Sequence, residues 1–321
     1  MAKDGAAVDV RFEGQSLLRV PLHNLDGIVT LGWDIGASAQ LLAACAEAGV
    51  SVSFCNPYGK FLAAVRGFTS GNILLRRAQY RAADDPSLTR KLAAAFVAAK
   101  LANSRTVLLR AARDHEVDVE TPARLLLRNA QAALQAPDAD SIRGLEGDAA
   151  SAYFAALPCL IQAPGFDFSG RVRRPPTDPV NALLSFAYSM LAHDCRSALE
   201  SVGLDPQCGF LHRDRPGRPS LALDLMEEFR PVFADRCVLT LINRRQITPA
   251  DFIHRETGAV ELREDSRKQF LTTWQERKQD EITHPFLNEK VSFGLLPFLQ
   301  ARLLARTLRG DLDAYPAFIY K

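Results

Sequence analysis

Over residues 1–70 apolar side chains either alternate with polar ones or stand in short β-branched runs. Val8, Val10 and Phe12 occupy every second position, and Gly27–Leu31, 50–54 and Phe61–Val65 are further apolar stretches of strand length. Asn56-Pro57-Tyr58-Gly59 is a turn signal between the last two runs and predicts a hairpin. Residues 38–47 carry a helical pattern that stops at Gly49.

From Ile73 onward the period becomes helical. Residues 90–116, 149–157, 179–202, 224–241 and 285–308 have helical length, and proline and glycine gather between them, at Pro158, Pro164-Gly165, Pro175-Pro176 and Pro216-Gly217. The pattern predicts an α+β protein with a small N-terminal β-rich, sandwich-like domain over 1–70 and a larger, all-helical C-terminal domain over 71–321. No internal repeat or low-complexity tail interrupts it.

A chain of 321 residues has room for about two domains and a sizeable core. No run reaches the ~20 apolar residues of a membrane span, and the first residues are not followed by an apolar signal segment, so no membrane contact and a cytoplasmic location are expected. The six cysteines are dispersed without a CxxC pair, which argues against a disulfide framework or a four-cysteine zinc site. A net charge of +2 does not by itself imply a nucleic-acid partner. Of the 39 basic residues only eight are lysine, however, and arginine's rigid fork suits phosphate. A general compositional bias would give the same count, so local clusters carry more weight.

Candidate chemistry centres on the segment Leu221 to Phe229. At about 100° per residue, Asp224, Glu227 and Glu228 share one face, and Ala222, Leu225, Met226 and Phe229 fill the opposite stripe. The i, i+3 pair Asp224 and Glu227 can point two carboxylates at one hard cation. Just before it lies a basic loop carrying His212, whose cationic neighbours should keep the imidazole neutral and able to bind metal. Farther off, Glu146 is flanked by Gly144 and Gly147, a costly choice in a helix that is expected where another backbone or a ligand approaches closely.

Each feature also has an ordinary explanation. Glu146 alone reads as a solvated glutamate at a helix start, His212 as a hydrogen-bonded loop histidine, and the acidic face as solvated surface. Spacing alone would allow Cys208 and His212 half of a zinc site, but no second pair completes it. Three basic clusters could follow a nucleic-acid backbone: Arg76, Arg77 and Arg81; Arg171, Arg173 and Arg174; and Arg213, Arg215 and Arg218. The third sits beside the acidic candidates, where it would offset their repulsion of a polyanion.

Several strings resemble the CRISPR-associated adaptation integrases, DNA endonucleases that insert new spacers into CRISPR arrays, and are close to the subtype I-C branch. They include Thr69-Ser70-Gly71-Asn72-Ile73-Leu74-Leu75-Arg76-Arg77, Ala102-Asn103-Ser104-Arg105, Arg143-Gly144-Leu145-Glu146-Gly147, Arg173-Arg174-Pro175-Pro176-Thr177-Asp178-Pro179, Gly209-Phe210-Leu211-His212 and Asp224-Leu225-Met226-Glu227-Glu228-Phe229-Arg230-Pro231.

The resemblance implies a metal site, for Mn²⁺ or Mg²⁺, made of Glu146, His212 and Glu227, with Asp224 an additional acid and Glu228 a solvated neighbour. With DNA as the partner, the basic clusters supply the expected contacts, from Arg76, Arg173, Arg174, Arg213, Arg215 and Arg218, and the flexible loop of the last three suits phosphate rather than base contact. The resemblance also implies a homodimer formed through the β domain, and a heterohexamer with a small second adaptation protein that holds double-stranded prespacer DNA and the CRISPR repeat. Members of this subtype begin with further strand-forming residues before the segment matching Lys3-Asp4-Gly5, so a β domain short of one strand is expected. Two other functions fit the same residues: a non-catalytic DNA-binding scaffold, and a stand-alone nuclease for branched DNA.

Overall fold

A computed structural model describes residues 1–25, 27–57, 61–65, 67 and 73–320. The turn residues Tyr58 and Gly59 and the string Thr69 to Asn72 lie outside the described residues. The chain divides into two compact units, Met1–Ser70 and Gly71–Lys321.

In the first unit, β1 (Ala2–Asp4), β2 (Ala7–Phe12) and β3 (Gln15–Pro21) form an antiparallel sheet in that order, with Val8 opposite both Lys3 and Val20. A second sheet holds β4 (Gly27–Leu31), β5 (Ser51–Cys55) and β6 (Phe61–Val65). β4 and β5 run parallel, which a tight turn cannot achieve, and helix α1 (Ala39–Glu47) is the crossover between them. Ser38 caps α1 by accepting the Leu41 N–H. β5 and β6 pair antiparallel, as the hairpin reading expects. Val8, Leu22, Leu41, Cys45, Val50 and Val52 form one buried cluster, so α1 and both sheets share a core.

The second unit contains α2 (Ile73–Asp84), α3 (Pro86–His115), α4 (Glu120–Gln135), α5 (Ala139–Ala156), α6 (Pro179–Ser201), α7 (Ser220–Phe229), α8 (Arg236–Asn243), α9 (Glu264–Gln279) and α10 (Leu296–Leu308). It is not all-helical: β7 (Phe252–His254) pairs with β8 (Val260–Leu262), and β9 (Glu281–Thr283) with β10 (Lys290–Ser292). The second of these hairpins takes residues that the sequence pattern assigns to a helix over 285–308. α3 is long and apolar enough to cross a membrane by length and composition, yet two-thirds of that stretch is buried inside the protein, against α4, α5 and α7. Asp85 caps it and Pro86 opens it, a pairing suited to the first helical turn.

Two departures from the expected helices shape the site. α5 begins ten residues before 149, capped by Asp138, so Gly144 and Gly147 lie inside a helix whose packing on α3 and α4 outweighs their low propensity. The expected helix over 224–241 is three pieces. Pro231 has no N–H to give, and the backbone passes through a π-helical segment, Arg230–Asp235, before α8.

Candidate active site

Asp224 organises the loop that carries His212. Fully buried on α7, its carboxylate accepts the backbone N–H groups of Phe210 (2.6 Å), Leu211 (2.9 Å) and His212 (3.0 Å), and it faces His212 Nδ1 at 2.6 Å. The loop can lie this close only because residue 209 is glycine, since a Cβ there would stand 2.8 Å from Ser220 Cβ and 2.9 Å from Asp224 Oδ2. A carboxylate only accepts, so Nδ1–H donates to Asp224 and the ring is held in one orientation.

The His212 ring borders an open cleft of about 510 Å³ that is also lined by Tyr80, Arg143, Cys208 and Arg213. Burial, with nearby Asp214 and Asp205, pushes the Cys208 thiol up to about 12. Among its present neighbours it is a neutral wall residue of the cleft.

Glu227 projects from the same helix into a different set of partners. The Lys100 ammonium of α3 hydrogen-bonds Glu146 of α5 and stands 2.7 Å from Glu227 Oε2, while Arg230 Nη2 lies 3.1 Å from the other carboxylate oxygen. Burial alone would raise the Glu227 pKa. The charges of Arg230 and Lys100, with His212 also in range, overcome that and hold it well below the usual carboxylate range. Lys100 meets Oε2 as a short ion pair, and no other donor reaches that oxygen among the described residues.

Glu146 sits in the middle of α5, not at a helix start, and its side chain is 26% exposed. Its flanking glycines face open space, since an added Cβ at either would meet nothing within 4 Å. Among the described residues no neighbouring backbone requires them, so of the two approaches expected from sequence, that of a backbone is not found.

Glu228 corrects the sequence expectation most sharply, because it is not a solvated neighbour but a fully buried one. Its carboxyl accepts from Tyr315 Oη (2.5 Å), Gln300 Nε2 (2.9 Å) and the Phe318 backbone N–H (2.6 Å). Burial pushes it up to about 7, although those three hydrogen bonds oppose the rise. Asn103 completes the same tie, donating to the Glu228 and Phe318 carbonyls and accepting the Tyr320 N–H. The acidic face of α7 is thus wholly interior, and its three acids hold a loop, a cation pair and the segment 315–320.

The arginines also separate. Arg76 donates to the Gly203 carbonyl, and Arg171 is tied to Asn181 and Ser185 beside the Tyr188 ring, so both have structural work. Arg173, Arg174, Arg213 and Arg215 are exposed. Arg213 also reaches Asp140 at 2.6 Å, and Arg143 joins the same carboxylate. Arg218 is partly buried within electrostatic reach of Arg215, Arg173 and Asp224, so two clusters that are distant in sequence form one cationic surface beside the His212 loop.

Lys100 and Arg230 escaped the sequence reading. Lys100 had a signal: it is the one charge within the otherwise apolar run Leu92 to Leu101 of a long helix. Arg230 had a weaker one, following Glu227 at i+3. Among the described residues no three His, Cys, Asp or Glu side chains form a group able to hold a metal ion. The donor chemistry still fits a divalent cation. Two carboxylates flank one cationic point, one of them with an oxygen that no donor other than Lys100 reaches among the described residues, and a nearby imidazole is oriented by a further carboxylate.

A profile of the family described as CRISPR associated protein Cas1 matches residues 1–276. A CRISPR-associated endonuclease Cas1 of Chlorobaculum tepidum is 50% identical over all of this chain and 95% of its own length, and one from Rhodospirillum rubrum is 50% identical with the same coverage. Among solved structures, a casposase bound to integration product superposes with a TM-score of 0.84 at 25% identity, over 99% of this chain and 91% of its own.

Proposed function

This chain belongs to the Cas1 family of CRISPR-associated proteins and is an endonuclease and integrase of CRISPR adaptation, and we propose that Glu146, Glu227 and His212 carry its chemistry by holding a divalent ion, Mn²⁺ or Mg²⁺. The observation that carries this reading is the convergence of Glu146 and Glu227, from separate helices, on one cationic point, with His212 held close by Asp224. When bound, such an ion polarises a phosphodiester and offsets charge that builds on the entering and leaving oxygens.

The protein's own side chains prepare the site. Asp224 fixes the His212 ring with Nε2 outward. Arg230 keeps Glu227 ionised, so the carboxylate is ready as a ligand at neutral pH. Arg173, Arg215 and Arg218 draw the polyanion towards the site without reading its sequence, the exposed Arg174 and Arg213 add to this, and Arg76 could reach a phosphate only from its partly exposed position beside Gly203. In strand transfer a DNA 3′-hydroxyl then displaces one side of a repeat phosphodiester, with one P–O bond formed for each one broken. In simple cleavage water takes the place of the hydroxyl.

The partners follow from the same reading. DNA is the substrate, as prespacer duplex and CRISPR repeat, and a small second adaptation protein is the partner, the two joining as a heterohexamer around two homodimers of this chain. The exposed Phe12, Leu17, Leu18 and Trp33 support a protein contact on the first unit. A cytoplasmic location and membership of the subtype I-C branch belong to the same proposal, the latter on the strength of the sequence strings alone. The test replaces Glu146, His212 and Glu227 singly by alanine and assays Mn²⁺-dependent strand transfer into a repeat duplex. Loss of at least ~10²-fold in each is expected. Undiminished joining in all three would refute the assignment, and intact DNA binding without cleavage or joining by the unaltered protein would favour a scaffold.

A further inference from the structure

Lys100 is an unusual neighbour for two prospective metal ligands. Its side chain is 6% exposed, on the face of α3 that packs against α5 and α7, and no carboxylate lies within a turn of it on α3. Its ammonium touches Glu146 and Glu227 together, which is the bridging role that a divalent ion would have between the same two groups. The contact with Glu227 Oε2 is a short ion pair of 2.7 Å. Arg230, by comparison, is on the far oxygen of Glu227 and stacks on the Tyr188 ring at 4.6 Å, so it is committed elsewhere and does not bridge.

Two carboxylates, one buried and one about a quarter exposed, are close to electrostatic balance with Lys100 between them and Arg230 on the far oxygen of Glu227. Adding a divalent ion to that point while the ammonium stays would place like charges within a few ångströms in a poorly screened interior. One of the two cations has to leave.

We propose that Lys100 is a resident counter-charge that keeps Glu146 and Glu227 together before metal enters and must swing off them as the ion binds, which makes it the residue that sets metal affinity at this site. The inference rests on the reading of Glu146 and Glu227 as metal ligands. Lys100 is here a positioning residue, acting through the carboxylates. Its free-state role predicts a protein that folds and holds its site without metal. Its exchange role predicts that ion binding is weaker than the ligand set alone would give.

The experiment titrates Mn²⁺, without DNA, into the full-length protein and follows the free-ion EPR signal, with melting temperature measured in parallel. The variants are Lys100→Gln, Lys100→Arg and, as a control, Glu146→Ala. Lys100→Gln removes the charge but can still donate a hydrogen bond to the carboxylates, which favours folding. It should bind Mn²⁺ on the order of tenfold more tightly than the unaltered protein, the effect of relieving part of a unit charge. It should also melt lower without the ion and gain more from it.

Lys100→Arg keeps the charge and should bind as weakly as the unaltered protein, a distinction that a merely structural role would not make. Glu146-dependent binding that is equal or weaker in Lys100→Gln would overturn the Lys100 inference alone. Absence of saturable, Glu146-dependent binding in all forms would overturn the metal reading and this inference with it.

Discussion

On one side of α7, Glu227 faces Lys100, Arg230 and His212, and stays charged although it is buried; on the other, the adjacent Glu228 faces a tyrosine hydroxyl, an amide and a backbone N–H, and is pushed up to about 7. Their burial is nearly equal. What differs is the formal charge around them. Cationic partners keep a carboxylate ionised and available to a cation, whereas neutral donors satisfy its oxygens without compensating its charge, so the group becomes part of the frame. Neighbouring residues of one type are thereby divided between chemistry and architecture.

The largest expected effect lies on the architectural side. Glu228→Ala strands the Tyr315 hydroxyl proton and the Phe318 N–H in the interior and leaves a cavity, and should destabilise the protein by about 3 to 5 kcal/mol, read from urea unfolding. A loss under ~1 kcal/mol would mean that the segment 315–320 does not depend on this carboxyl.

Asp235 gives the next effect: like Glu228 it is raised by burial against neutral hydroxyl donors, although Arg230 and Arg171 also oppose the rise. It accepts from Tyr153 (2.9 Å) and Tyr188 (2.6 Å), and burial pushes it from 3.8 up to about 6. An acid whose folded pKa is raised takes up a proton on folding. Its contribution is therefore complete below 3.8, fades as pH rises and is lost above about 6. The interval corresponds to about 3 kcal/mol. The stability of the unaltered protein relative to Asp235→Asn should fall by about that amount between pH ~4 and ~7. A flat difference across that range would remove Asp235 from the comparison.

The smallest effect belongs to the exposed cationic surface. Arg215→Ala should weaken binding to unrelated DNA duplexes by a similar factor and lower the salt slope by about 1. Loss on one sequence only would show base reading.

Much of this division is hidden in the sequence because helical periodicity reports which residues share a side and not what lies opposite. Asp224, Glu227 and Glu228 fall on one face of the wheel, and the wheel has no means of placing Tyr315 and Phe318, some 90 residues later, against only one of them. The two-unit order, the β5–β6 hairpin and α6 were legible because period, turn residues and the Asp178 cap agree there. α5 was not, since the two glycines argue locally for a start after them, while the cap at Asp138 and contacts with α3 and α4 decide the outcome. The π-helical segment after α7 was foreshadowed by Pro231, but sequence alone does not tell a break from a bulge.

The most direct measurement sets Glu227→Gln beside Glu228→Gln, near-isosteric changes one residue apart, in Mn²⁺-dependent strand transfer at a temperature where circular dichroism finds both folded. Glu227→Gln should lose at least ~10²-fold in rate, and Glu228→Gln should keep the unaltered rate within about threefold while its melting temperature shifts. Equal losses in the two folded variants, or an active Glu227→Gln, would contradict the division of α7 into a chemical and a structural side.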